Sequence, residues 1–329
     1  MGVSVYDDSG RKISVNSFFD HVTINQPIVT ERREKHSFWF GDAELVQLAF
    51  SGIYIVYGDM LMREKKTLYF DMVYQQQLVE MHFALTGNGI MYNNLSGQRY
   101  MFKGNETNMH YTPAFSGVGD FSRNERYRFF EVHFTTEFFF ELAKDSSPLL
   151  MQFADKINAG NQCEVSREPL PISLAMHQCI KEIMQCRLAG GLKLLFLQSK
   201  CIELLALQAQ AYEDMAGKPP GTACKSVYDR ECIHHAREYL VQHAQCPPSL
   251  SELAKVSGIN EFKLKQGFKE VFNTTVFGYL SDYKLSHAKD LLLEKKAIKD
   301  VADELGYSSV QHFSTAFRKK YGIPPGKLK

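Results

Sequence analysis

Residues 250–273 read LSELAKVSGINEFKLKQGFKEVFN, and residues 298–321 read IKDVADELGYSSVQHFSTAFRKKY. One pattern underlies both. Leu253, Ala254, Gly258, Leu264, Phe268 and Phe272 of the first stretch answer to Val301, Ala302, Gly306, Phe313, Phe317 and Tyr321 of the second. The offset is 48 positions up to the glycine and 49 after it, so the second copy carries one extra residue in its turn. A turn is where a structural repeat best tolerates an insertion.

Each copy predicts helix, tight turn, helix. In the first, Ser249 or Ser251 caps a short helix with Leu250, Leu253, Ala254 and Val256 on one side, and Gly258 ends it at the left-handed position that glycine adopts most cheaply. Asn260 caps the next helix, where Leu264, Phe268 and Phe272 recur at spacings of three and four and leave Glu261, Lys263, Lys265, Gln266 and Lys269 off the apolar stripe. In the second copy Gly306 is the stop, Ser308 or Ser309 the cap, and Phe313, Phe317 and Tyr321 the stripe. Amphipathic hairpins alone would fit any all-α bundle. The repeat, the glycine at each turn and the donor-rich outer faces favour a DNA reader instead.

These residues resemble the DNA-binding domain of AraC/XylS-type transcription regulators, in which one long helix joins two helix-turn-helix units. The matching signature is Ile298, Val301, Ala302, Leu305, Gly306, Tyr307, Phe313, Ser314, Phe317, Arg318, Lys319, Gly322 and Pro325. Leu285, Ala288, Leu291 and Leu292 stand where that family's joining helix has its apolar positions. Three departures occur: Lys284 in place of the usual arginine, Leu328 and Lys329 in place of a closing tyrosine and arginine, and Gly267 inside the first reading helix. That glycine costs about 1 kcal/mol relative to alanine. The resemblance is specific over roughly the last hundred residues. The strings LKLLFLQSKCIELLALQAQAY and MHFALTGNG also resemble the siderophore-responsive, pyochelin-regulator-like subgroup.

At 329 residues two domains are expected. The net charge of +1 says little until it is divided. Residues 226–329 hold 16 Lys/Arg against 12 Asp/Glu, which leaves −3 for residues 1–225, an asymmetry that fits a DNA-binding half. Seven scattered cysteines without a C-x-x-C pair are the usage of a reducing compartment. Neither a long uncharged apolar run nor a signal-peptide pattern is present, so a cytoplasmic, non-membrane protein is expected.

Residues 1–135 alternate with period two. GIYIVYGDML, KTLYFDMVY, VEMHFALTG, GIMYNN, RYMFKGN, TNMHYTP and YRFFEVHFT read as strands separated by turns such as GNG at 87–89. Many short strands predict a sandwich or barrel, and the resemblance implies a cupin-like jelly roll, giving an α+β protein overall. His82, His110 and His133 stand on separate strands with no H-x-H pair, and there is no G-x-S-x-G, P-loop or H-E-x-x-H. No enzyme activity, metal or cofactor is therefore expected. The rings Phe50, Tyr54, Tyr57, Tyr69, Tyr74, Phe83, Tyr92, Tyr100, Phe102, Tyr111 and Phe115 either fill the barrel or line an effector cavity, with Arg99, Arg123, Arg126 and Arg128 available to an anion. Tyr54, Tyr92, Arg99 and Tyr111 are taken as effector contacts. Sugars, aromatic metabolites and ferric siderophores all remain open as effectors.

Residues 136–216 change to helical period with a break at Gly190 and Gly191. Leu194, Leu197, Cys201, Leu204, Leu205 and Gln208 share one face, widened by Leu192, Leu195, Ile202 and Leu207. Such a surface packs on the barrel or on a second copy, and the resemblance implies a homodimer. AGKPPGTACKS makes residues 217–226 a linker to a DNA-binding domain at 227–329, with its two helix-turn-helix motifs at 249–273 and 298–321. By resemblance, Phe262, Lys265, Gln266, Gln311, His312 and Thr315 meet bases. Lys269, Arg318, Lys319 and Lys320 hold phosphates. The expected function is sequence-specific binding of double-stranded promoter DNA under control of a small-molecule effector, with RNA polymerase as a further partner. The alternative is a regulator without an effector, controlled by a protein partner or by abundance.

Overall fold

Alternation along two long strands, residues 53–62 and 125–135, decides how the first half of the chain is layered. The computed structural model describes residues 2–13, 27–73, 77–97, 99–216, 227–272, 274–293 and 295–328, in two compact units, residues 1–217 and 218–329. The expected linker, Tyr74 and Cys224 lie outside the described residues.

The first unit contains β1 (Gly2–Tyr6), β2 (Lys12–Ile13), β3 (Thr30–Phe38), β4 (Gly41–Phe50), β5 (Ile53–Met62), β6 (Lys66–Val73) and β7 (Leu78–Thr86). These are followed by β8 (Gly89–Asn93), β9 (Arg99–Phe102), β10 (Glu106–Tyr111), β11 (Phe115–Phe121) and β12 (Glu125–Thr135). Helices α1 (Thr136–Ala143) and α2 (Pro148–Asn158), strands β13 (Cys163–Glu164) and β14 (Leu170–Pro171), and helices α3 (Leu174–Met184) and α4 (Gly190–Ala216) complete it. One antiparallel sheet runs β2-β1-β6-β11-β8-β9. The other runs β13-β10-β7-β12-β5-β4-β3, with β14 also on β10.

Successive residues of a strand point to opposite faces, so the register sorts the second sheet into two surfaces. Ile53, Ile55 and Tyr57 of β5, Val79, Met81 and Phe83 of β7, and Phe130, Val132 and Phe134 of β12 share one face. They form a single core with Phe139, Phe153, Ile180, Leu197 and Leu204 of the four helices. Phe50, Tyr57, Phe83 and Tyr111, all candidates for a barrel lining, belong to this core under the helices. Their register rows run through helix-facing neighbours, which a list of aromatic residues does not show. The two sheets meet where Val5 and Ile13 pack with Phe40, Met62 and Tyr127.

Besides β1, β2 and β4, which are not among the strands read from the sequence, neither β3 nor β11 is among them. The first, TERREKHSF, alternates half-buried and exposed residues with charges on both faces, and the second, FSGVGDF, carries two glycines that weaken strand propensity.

The second unit contains α5 (Val227–Gln242), α6 (Leu250–Val256), α7 (Glu261–Phe272), α8 (Val276–Leu293), α9 (Ile298–Glu304) and α10 (Val310–Tyr321), then a 3-10 turn at Pro325–Lys327. Ser249 caps α6 in a full capping box with Glu252. Asn260 Oδ1 accepts from Lys263 N at 2.8 Å. Ser309, not Ser308, caps α10 through the amide of His312. Gly306 sits at φ +68°, and a Cβ there would collide with the carbonyl oxygen of Gln245, so only glycine fits this turn. The joining helix α8 serves both hairpins. Tyr279 near its start meets Phe268 edge-on and Phe272 at a tilt, with centroids 5.8 and 5.4 Å away, whereas Leu285, Ala288, Leu291 and Leu292 enter the core built by Val301, Ala302, Phe313 and Phe317. Gly267 is buried and α7 runs unbroken through it.

Candidate nucleic-acid interface and sensor face

In each hairpin the second helix turns its ring stripe inward, so the residues between the rings are forced out. Leu264 and Phe268 of α7 and Phe313 and Phe317 of α10 are fully buried. Phe262, Lys265, Gln266 and Lys269 are exposed on α7, and Gln311, His312, Thr315, Arg318 and Lys319 on α10. Phe262 is 70% exposed, far more than a ring of this size needs for packing, and it sits in the first turn, where a recognition helix meets base edges. Lys265 pairs with Glu261 one turn earlier at 3.2 Å, a weak exposed contact. His312 Nδ1 lies 2.8 Å from Ser308 Oγ, which orients the ring at the start of α10. Lys320 differs from its neighbours: its ammonium donates to Asp282 Oδ1 at 2.7 Å and to the Asp282 carbonyl at 3.0 Å, which ties α10 to α8. Lys284 is buried, with its ammonium 5.7 Å from the Tyr307 ring, and burial lowers its pKa below the ordinary lysine value. The arginine-to-lysine departure thus falls at a contact that seats the second hairpin on α8.

The first unit brings together groups that the sequence reading kept apart. Opposite the helices, one register row runs His110–Glu80–His133–Tyr54 and the next Asn108–His82–Glu131–Val56. His82 Nδ1 is 3.0 Å from Glu131 Oε1 and 3.5 Å from Glu80 Oε1, His110 Nε2 is 3.2 Å from Glu80 Oε1, and His133 Nε2 is 3.2 Å from Glu131 Oε2. Burial alone would push the His82 imidazole down, but hydrogen bonds to Glu131 and Glu80 outweigh it and push its pKa up to about 9. Burial likewise opposes ionisation of Glu80, yet His110 and His82 hold its carboxyl well below the usual range. A sequence signal for this cluster exists. Glu80-x-His82 and Glu131-x-His133 are the same two-residue step on neighbouring antiparallel strands, which sets each histidine against the other strand's glutamate.

The four expected effector residues fall on three surfaces. Tyr54 is on this polar face, 5.4 Å from the His133 ring and donating to Gln47 Oε1 at 2.7 Å. Tyr111 faces the helices, with its hydroxyl on Gln77. Tyr92 and Arg99 pair in the other sheet, the guanidinium 5.6 Å from the ring. Arg126 and Arg128 are tied to Asp59, at 2.6 and 3.5 Å.

Comparison with known proteins agrees with both halves. The family described as the regulatory protein PchR N-terminal domain matches residues 40–224, and a helix-turn-helix domain family matches residues 253–329. The chain is similar to regulatory protein PchR of Pseudomonas aeruginosa, 42% identical over 130 residues that make up 39% of this chain and 43% of that one. It is also similar to the probable transcriptional regulator LumQ of Photobacterium leiognathi, 35% identical over 26% of this chain and 36% of that one. The chain thus spans less than half the length of these two relatives. The solved structure of an apo ToxT variant from Vibrio cholerae aligns over 83% of this chain and 96% of its own, at 12% identity and a TM-score of 0.36.

A sheet-rich unit followed by a repeated helix-turn-helix unit is the plan of an AraC-type DNA-binding transcription regulator. The chain belongs to the family of such regulators that carry the PchR N-terminal domain. Among the described residues, no helix is long and apolar enough to cross a membrane.

Proposed function

We propose that the chain is a cytoplasmic regulator that binds promoter DNA through α7 and α10 and that its first unit controls this binding in response to a small molecule. The observation that carries the DNA reading is the pair of exposed faces, Phe262, Lys265 and Gln266 on one helix and Gln311, His312 and Thr315 on the other, each backed by buried rings and joined by the one helix α8. Two such helices read successive major grooves about one helical turn, roughly 34 Å, apart, so one chain covers two short boxes. Gln266 or Gln311 bonds an adenine edge and Lys265 a guanine, whereas Lys269, Arg318 and Lys319 hold phosphates. Lys320 joins them only by leaving Asp282.

Effector control is supported by similarity to a PchR-type N-terminal domain and by the polar face inside the first unit. The chain steps from sheet to sheet between β5 and β6, β6 and β7, β7 and β8, β9 and β10, β10 and β11, and β11 and β12, which supports a cupin-like jelly roll. Tyr54, Tyr92 and Arg99 remain effector contacts of this proposal, and a ferric siderophore is the first effector to test, by family resemblance. Leu192 and Leu195, 66% and 65% exposed at the start of α4, support a homodimer through that helix. RNA polymerase is the further partner the family implies.

A thermal-shift screen of the full-length protein against sugars, aromatic metabolites and ferric siderophores tests the sensor reading. An upward shift by one class establishes an effector, since ligand at 100 times Kd stabilises by about 2.7 kcal/mol. Silence across all classes transfers control to a protein partner or to abundance and leaves DNA binding standing.

A further inference from the structure

We infer that Glu80, His82 and Glu131 form a binding site for a divalent first-row transition cation on the inner face of the β7–β12 pair, with His110 and His133 as its supporting residues. Such a site goes beyond effector control and does not depend on it.

One ligand atom from each of Glu80, His82 and Glu131 lies within 4.8 Å of the other two. Two donors about 2.0–2.2 Å from one ion stand about 3.3–3.6 Å apart in tetrahedral geometry and about 2.8–3.1 Å apart in octahedral geometry. The separations of 3.0 and 3.5 Å from His82 Nδ1 to the two glutamates fall in these ranges, so an ion needs no strand to move. The remaining gap is taken up by carboxylate rotation.

Charge points the same way. Two carboxylates on a largely buried face need positive charge nearby; in metal-free protein the surrounding imidazoles supply it, and a divalent ion replaces them, the His82 proton leaving to solvent as Nδ1 takes the ion. Each glutamate is held by a further imidazole, Glu80 by His110 and Glu131 by His133, both at 3.2 Å, which is the pattern in which a ligating carboxylate is fixed by an outer hydrogen bond. The donor set is nitrogen and oxygen without a thiolate, which suits zinc, iron(II), cobalt or manganese rather than copper(I). Access exists as well, since the Glu80 side chain keeps 23% of its surface exposed while His82 keeps 11%.

The test uses full-length protein stripped with a chelator and titrated with Co2+ while its visible absorption is followed. One equivalent per chain, with ligand-field bands, is expected. Glu131→Gln and His82→Gln each weaken binding more than tenfold, because even outer-shell changes at metal sites cost about 10–100-fold. His110→Asn, a milder change at the outer shell, weakens it less, and His243→Gln in the other unit leaves it unchanged. Circular dichroism confirms that each variant is folded. If a variant fails to fold, His110→Asn and the wild-type stoichiometry decide. No saturable Co2+ binding by wild type, or unchanged binding in folded Glu131→Gln and His110→Asn, would overturn the site and leave the cluster an ion-pair network.

Discussion

Gln311 and Lys319 sit on the same exposed side of α10 and are expected to fail differently. Gln311→Ala removes a base-edge amide, so binding to the cognate site weakens by about 1–3 kcal/mol while random DNA is hardly affected. Lys319→Ala weakens both alike and lowers the salt slope by about 1. Fluorescence anisotropy on the two DNAs at several salt concentrations separates the cases, and equal losses for Gln311→Ala would sink its base-reading role. At this scale the sequence was uneven. Readers and stripe residues on α7 and α10 were legible because helical spacing fixes which positions point out. The tie between Lys320 and Asp282 was not legible, being a contact across 38 positions between two helices. His82, His110 and His133 looked solitary for the same reason, since strand register and not spacing along the chain makes them neighbours.

Among the elements, the turns carry the sharpest prediction. Gly306→Ala places a side chain in the left-handed region, which costs about 1–2 kcal/mol, and drives its Cβ against the Gln245 carbonyl. Urea unfolding of the full chain should show the transition of the second unit move to lower denaturant by at least that amount, with little change in the first. An unchanged midpoint would mean that the turn can relax. Helices and turns of this unit were readable because caps, glycines and apolar period all act within a few residues. Ser249 and Ser309 emerged from their pairs of candidates through geometry alone. In the first unit β1 to β4 and β11 escaped, and for β3 and β11 the reason is that charged or glycine-rich strands are held by their neighbours and not by their own propensity. Burial of four barrel candidates under helices α1–α4 likewise depends on which sheet face those helices cover.

For the molecule as a whole, the polar face sets a pH window on the first unit. His82 carries a pKa raised to about 9 over an unfolded value near 6.5, so in metal-free protein its stabilising contribution is full below about pH 6.5 and is lost as pH rises through 9. Glu80, whose carboxyl is held low, gives stability that is present above its unfolded value of about 4.3 and lost on acidification. Thermal unfolding of chelator-treated protein should therefore show the first unit weaken between about pH 7 and 9, and His82→Gln should flatten that limb. A pH-independent midpoint over that range would contradict the ion-paired cluster. The most direct measurement of the central claim is in vitro selection of duplex DNA by the purified full-length protein, with the enriched pool sequenced. Two short boxes about 10–10.5 base pairs apart, the second lost in Gln311→Ala, are predicted for two recognition helices on one joining helix. A single box, or a pool with no sequence in common, would contradict it.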